Sequence, residues 1–268
     1  MKRISIKVVF VVLTVVSVLL LIGATFTANW LQAMLISFAV NILTSVLVIL
    51  LIEKKLNEQD QKIREREARA LEKTYILNAN KIIESILPVY RLEFNQLTIP
   101  VNRRIHGGVF SAIDASTFNS NFTISDLIDM LQPDITVYGT FGNTILDTYS
   151  IADRRLTDAF ESMLTRCTFN YYPKLEESIN TILSLSIQPN GISTILNLYR
   201  GGQQPAIQTI YGLMQNYNGN PQADYANNTY SGNLFINPLL LYLYLDSMKN
   251  ALEAYCSEVK KIAEEELQ

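Results

Sequence analysis

Apolar and polar positions divide this chain into two regimes. Residues 8–52 contain no charged side chain, a run of 45. A helix rises 1.5 Å per residue and a bilayer core takes about 20 residues, so the run has the length of two spans. It is interrupted near its middle by Gly23, Thr25, Thr27 and Asn29, followed by Trp30, an amphipathic ring suited to a membrane–water interface. The pattern predicts two transmembrane helices, at about 7–28 and 31–52.

Beyond Ile52 the texture reverses. Residues 53–73 carry seven basic and six acidic side chains, with no glycine or proline. Such alternation reads as a solvated helix. Ile49, Leu56, Ile63, Ala70 and Leu77 recur every seven residues, but the companion positions Gln59, Arg66 and Lys73 are polar. Half a seam does not make a coiled coil. The expectation is a charged helical stalk over 53–77, leading into a helical domain at 78–268.

Within that domain the apolar period is helical throughout. A helix over about 74–97 carries Ile82, Ile83, Ile86, Tyr90, Phe94 and Leu97, with Pro88 predicting a kink or break. Residues 98–122 read as irregular, Thr123–Asp126 resembles a helix start, and Pro133 ends the short helix that follows. Helices are expected at about 144–170, after Pro173, and at about 190–199 and 204–216. Residues 216–233 form an Asn-, Tyr- and Gly-rich stretch expected to be a mobile or functional loop. The last helix is the best defined: Leu241, Leu245, Met248, Leu252, Tyr255, Val259 and Ile262 alternate steps of four and three. No strand pattern competes, and the fold class reads as all-α: a two-helix transmembrane hairpin, a stalk and a cytoplasmic bundle.

Charge adds orientation. Lys2, Arg3 and Lys7 precede the first span, Lys54 and Lys55 follow the second, and the turn between carries none. The positive-inside rule then places both termini and the large domain in the cytoplasm, with a bacterial inner membrane as the expected location. A cleaved signal peptide is the rival reading of the first span. Phe26 or Ile22 at the −3 position fits the small-residue cleavage rule poorly, and the domain stays cytoplasmic either way. Overall formal charge is −3, but residues 76–268 hold 12 basic and 19 acidic side chains, a balance of −7. That excludes the basic face expected of a nucleic-acid binder and disfavours a domain lying flat on anionic lipid. Cys167 and Cys256 read as buried reduced thiols, and the two Asn-X-Thr sequons carry no meaning on the cytoplasmic side.

Candidate chemistry is sparse. His106 is the single histidine, in the run Arg103-Arg104-Ile105-His106-Gly107-Gly108. Two guanidiniums beside a glycine turn suit a phosphate, although a surface loop of ordinary turn residues is the favoured reading, and the run matches no phosphate-loop or dinucleotide fingerprint. One histidine and two distant cysteines give no zinc pattern, and no serine sits in a nucleophile elbow. No catalytic residue, metal or cofactor is assigned. In the second span Ala33, Ser37, Asn41 and Ser45 recur every four residues, a pattern that lets helices approach closely and gives an amide a partner. Packing within the hairpin is favoured over assembly into a homo-oligomer.

The layout of hairpin, charged stalk and helical domain resembles that of many bacterial membrane proteins, sensors and defence effectors among them, through architecture and not through a motif. The leading expectation is a membrane-anchored, non-enzymatic interaction or sensing module. Its partners would be the lipid bilayer and an unidentified protein or small ligand, met through the 98–122 and 216–233 loops. The alternatives are a membrane-permeabilising effector whose hairpins oligomerise, and an enzyme using the Arg103, Arg104 and His106 loop.

Overall fold

The computed structural model describes residues 6–27, 30–106, 109–110, 113–134 and 143–265; side chains are described from Phe10 onward and, over 104–110, the backbone alone. The chain is mostly helical, as the apolar periods predict, and divides into two compact units, Met1–Ala68 and Arg69–Gln268.

The first unit holds α1 (Ile6–Thr25) and the N-terminal part of α2 (Trp30–Thr98). Its buried side chains are few and small: Ser17, Ala24, Ala39 and Val46. The rest of its apolar surface is open, Leu19 and Leu47 being 61% and 60% exposed. Hydroxyls here are satisfied locally, Thr14 donating to the Phe10 carbonyl at 2.8 Å and Ser17 to the Leu13 carbonyl at 2.9 Å. α2 is long and apolar enough to cross a membrane. It is one continuous helix of 69 residues, so the expected separate helix at 74–97 is its C-terminal part, and Pro88 lies inside it without ending it.

The second unit is built on the seam read from the sequence. α9 (Ile236–Glu264) buries Leu241, Leu245, Met248, Leu252, Tyr255, Val259 and Ile262, each of the seven expected positions. α4 (Ile145–Arg166) is started by Thr144, whose hydroxyl accepts from the Asp147 amide while the Asp147 carboxylate accepts from the Thr144 amide at 2.9 Å. This reciprocal cap satisfies two donors that a helix start otherwise leaves open. α5 (Pro173–Ile187) opens on its proline and packs along α9, with α4 on its other side. α6 (Ile192–Arg200) and α7 (Gln204–Gln215) follow. A 3-10 helix at Ile124–Asp129 stands where Thr123 predicted a helix start, and the Asp126 carboxylate accepts from the Thr123 amide at 2.8 Å.

Aromatic and amide contacts lock these helices together. Tyr255 meets Phe160 edge-on at 4.8 Å and donates to Asn80 at 2.6 Å, joining α9, α4 and α2. Phe94 lies edge-on to Phe118 and Phe122 at 5.1 and 5.6 Å. Beneath them the buried Asn95 amide donates to the Asp114 and Thr117 carbonyls and accepts from the Asn119 amide, tying a segment without regular structure to α2. Lys73 donates to the Glu265 carbonyl at 2.6 Å, at the end of α9 where a helix leaves its carbonyls unpaired and favours a cation.

Two expectations change. The irregular 98–122 stretch begins with a helical turn, α3 (Val101–Arg104), and the two-residue strands β1 (Ile105–His106) and β2 (Val109–Phe110), paired antiparallel. The expected 216–233 loop contains α8 (Pro221–Ala226), capped by the Asn220 side chain, and Tyr217 and Tyr230 meet the buried Phe235 ring at 5.2 and 4.6 Å, Tyr230 edge-on. Its side chains are exposed or half-buried, so the aromatic anchor and the cap hold it rather than a core of its own.

Candidate functional site

Of the candidate side chains singled out in the sequence, those described lie on α2 and α3. Arg103, on α3, forms an ion pair at 2.8 Å with the buried carboxylate of Asp126, so this guanidinium serves the 3-10 helix. The side chains of Arg104 and His106 lie outside the described residues. Ala33, Ser37, Asn41 and Ser45 are all exposed, while the buried positions of α2 within the first unit are Ala39 and Val46. The stripe is therefore not among the buried positions of that unit.

A cleft that sequence reasoning did not find lies between α4, the end of α5 and α6. It encloses about 490 Å³. α4 contributes Asp147, Asp153 and Arg154; the turn before α6 and α6 itself contribute Asn190, Ser193 and Arg200. Pockets for small ligands span roughly 300–1,000 Å³ and orient their contents with a few polar groups, so size and lining both fit. The positions follow from local structure. Asp147 is the N3 residue of the α4 cap, and its second oxygen accepts from Arg200 across the cleft. Arg154 is exposed and forms no ion pair among the described residues.

Asp153 is the floor. It is 9% exposed, and both of its oxygens accept from the Tyr244 hydroxyl, at 2.8 and 2.7 Å. Tyr149 approaches at 3.5 Å and shares a 2.8 Å hydrogen bond with Tyr90. Burial pushes the Asp153 carboxyl up to about 6, against the tyrosine hydroxyls, which favour its charged form. The same burial, beside a carboxylate, drives Tyr90, Tyr149 and Tyr244 far above the ordinary phenol range, so these hydroxyls remain proton donors.

A second buried carboxyl lies apart from the cleft lining. Glu93, 4% exposed, is raised to about 7 by burial and by the neighbouring charge of Asp134, with a hydrogen bond to Thr148 opposing. Tyr211 is raised to about 12, chiefly by burial.

One sequence signal pointed at the floor. Asp153 stands four residues after Tyr149, on the face of α4 that carries Ala152 and Leu156, so a carboxylate was placed among core positions. Arg154 and Arg200 gave no such signal, because they come together only through packing. Among the described residues no group of three His, Cys, Asp or Glu side chains has the arrangement of a metal site. No protein-family model, curated protein or solved structure matches the chain.

Proposed function

We propose that this chain is a membrane-anchored sensing module: the apolar unit fixes it in a bilayer, and the Arg69–Gln268 unit receives a ligand or protein partner on the cytoplasmic side. One observation carries the reading. The Met1–Ala68 unit leaves its large apolar side chains open, while the second unit encloses its own in a continuous core. A contiguous apolar surface of that extent signals a membrane or a partner, and its length and lack of charge favour lipid. The basic residues flanking the apolar run support an orientation with both ends inside a bacterial inner membrane.

The test is alkaline carbonate extraction of membranes from cells expressing the full chain. The protein is expected to stay in the pellet, and the pair Leu19→Arg and Leu47→Arg to release it. Full extraction of the unmodified chain at alkaline pH would end the anchor reading.

A second reading is supported by the exposed Ala33, Ser37, Asn41 and Ser45 stripe. Small side chains allow close helix approach, and an intramembrane amide gains by pairing with another chain. In this reading hairpins assemble and permeabilise the bilayer. Membrane potential after induced expression separates the two: depolarisation by the full chain, abolished by Asn41→Leu, favours the effector, and an unchanged potential favours the anchored sensor.

A further inference from the structure

We propose that the cleft between α4 and α6 binds a small phosphorylated ligand rich in hydroxyl groups, a sugar or polyol phosphate. The inference rests on the reading of the Arg69–Gln268 unit as a receptor and names the chemistry it receives.

The donors come first. Arg154 reaches the cleft with no ion-paired carboxylate among the described residues, and its planar guanidinium matches two oxygens of a phosphate at once. Arg200 is steadied by Asp147 through one terminal nitrogen, yet its side chain remains 63% exposed, which leaves further N–H groups for a ligand. Asn190 and Ser193 add neutral donors at the same wall. A guanidinium already held in place by a carboxylate loses less freedom when it binds, so the Asp147 pair prepares Arg200.

The acceptors lie at the floor. Asp153 is almost wholly enclosed, and Asn143 lines the same cleft. Acceptors at this depth suit ligand hydroxyls, which donate. They repel a second anionic group, so the phosphate belongs at the Arg154 and Arg200 end.

The lining also excludes. Among the described residues no aromatic ring lines the cleft; the apolar side chains there are Ile151, Ile192 and Leu196. These residues offer a nucleobase no stacking platform, whereas a sugar needs none. The acidic balance of the unit removes extended nucleic acid as an occupant.

The wall that holds Asn190 and Ser193 is rigidly placed. Gly191 adopts φ +74°, and a Cβ there would lie 2.2 Å from the Asn237 carbonyl oxygen of α9. The start of α6 is therefore pressed against the start of α9, and the cleft does not depend on a ligand for its shape.

The experiment is isothermal titration of the full chain in detergent with ribose 5-phosphate, inorganic phosphate, ribose and adenosine monophosphate. Ribose 5-phosphate is expected to bind saturably, more tightly than inorganic phosphate, with ribose alone silent. Arg154→Gln should weaken it at least about tenfold, the loss expected for one charge-assisted hydrogen bond. Arg155→Gln, one residue away and outside the cleft lining, should leave it unchanged. Equal binding of phosphate and ribose 5-phosphate overturns the hydroxyl half of the proposal, and tighter adenosine monophosphate overturns the exclusion of a base. No saturable heat with any probe, or binding indifferent to Arg154→Gln, overturns the site. Carbonate extraction of the membranes before solubilisation keeps the readings apart: a chain that binds ribose 5-phosphate but leaves the membrane loses its anchor and keeps its ligand.

Discussion

The two ends of α2 are one helix in two environments. Around Leu47 and Leu51 its side chains stand open, and the buried positions are small or sparse. Around Tyr90, Phe94 and Leu97 the same helix is closed over by other elements, and even its polar residues Glu93, Asn95 and Gln96 are enclosed. Helix propensity is shared by both ends; the difference lies in what is asked to cover them. In the first unit the covering medium is proposed to be lipid, which demands only apolar surface. In the second it is protein, which demands matched shapes and paired polar groups.

Core truncation should expose that contrast most strongly. Phe94→Ala removes a ring held edge-on by Phe118 and Phe122 and should cost about 3–5 kcal/mol in denaturant unfolding of the second unit. Leu47→Ala, on the open end, should leave that unfolding curve within about 0.5 kcal/mol. Equal effects would mean that the two ends are not separately stabilised.

Gly191→Ala comes next. A positive φ and a backbone oxygen in the way should together cost roughly 2–4 kcal/mol, read as a lower midpoint of thermal unfolding.

The buried carboxyls give a pH signature. Asp153 and Glu93 have folded values raised to about 6 and about 7, above those of the unfolded chain. The folded state therefore binds more protons between about pH 4 and 7, and stability falls as pH rises through that window. Each contributes on the order of 2–3 kcal/mol at its limit. Unfolding midpoints should be higher at pH 5 than at pH 7.5, and Asp153→Asn with Glu93→Gln should flatten the slope. A slope of opposite sign would show that both carboxyls are ionised through other partners.

Arg200→Gln should have a small effect. The ion pair with Asp147 is solvent-screened on the arginine side, so its loss should cost no more than about 1 kcal/mol.

How legible the chain was depended on contrast between neighbouring residues. α9 could be read nearly position by position, because charged and polar side chains separate its apolar steps. Residues 8–52 could be recognised as apolar but not assigned an inner face, since nearly every position is apolar and the eye falls on the small residues. Ala39 and Val46 are buried, and Ala33, Ser37, Asn41 and Ser45 are not. The order in 216–233 was left open by the sequence because its anchors are not periodic: Tyr217, Tyr230 and Phe235 meet in space from separated positions. Asn220 before Pro221 was a readable helix start that a loop composition obscured. The cleft had the least to show, since its two arginines lie 46 residues apart and only packing makes them neighbours.

The position of α9 has a consequence for synthesis. The helix that completes the core is the last one described, and it covers α2, whose Asn80 waits for Tyr255 from 175 residues away. At about 5–20 residues per second, roughly 10–30 s separate the emergence of Thr98 from that of α9. Through that interval the inward faces of α2, α4 and α5 stand uncovered on the ribosome while the apolar residues 8–52 have already emerged. The nascent chain thus presents two apolar surfaces at once, and under the proposed membrane reading a chaperone holding the second until α9 arrives would keep it from following the first into lipid.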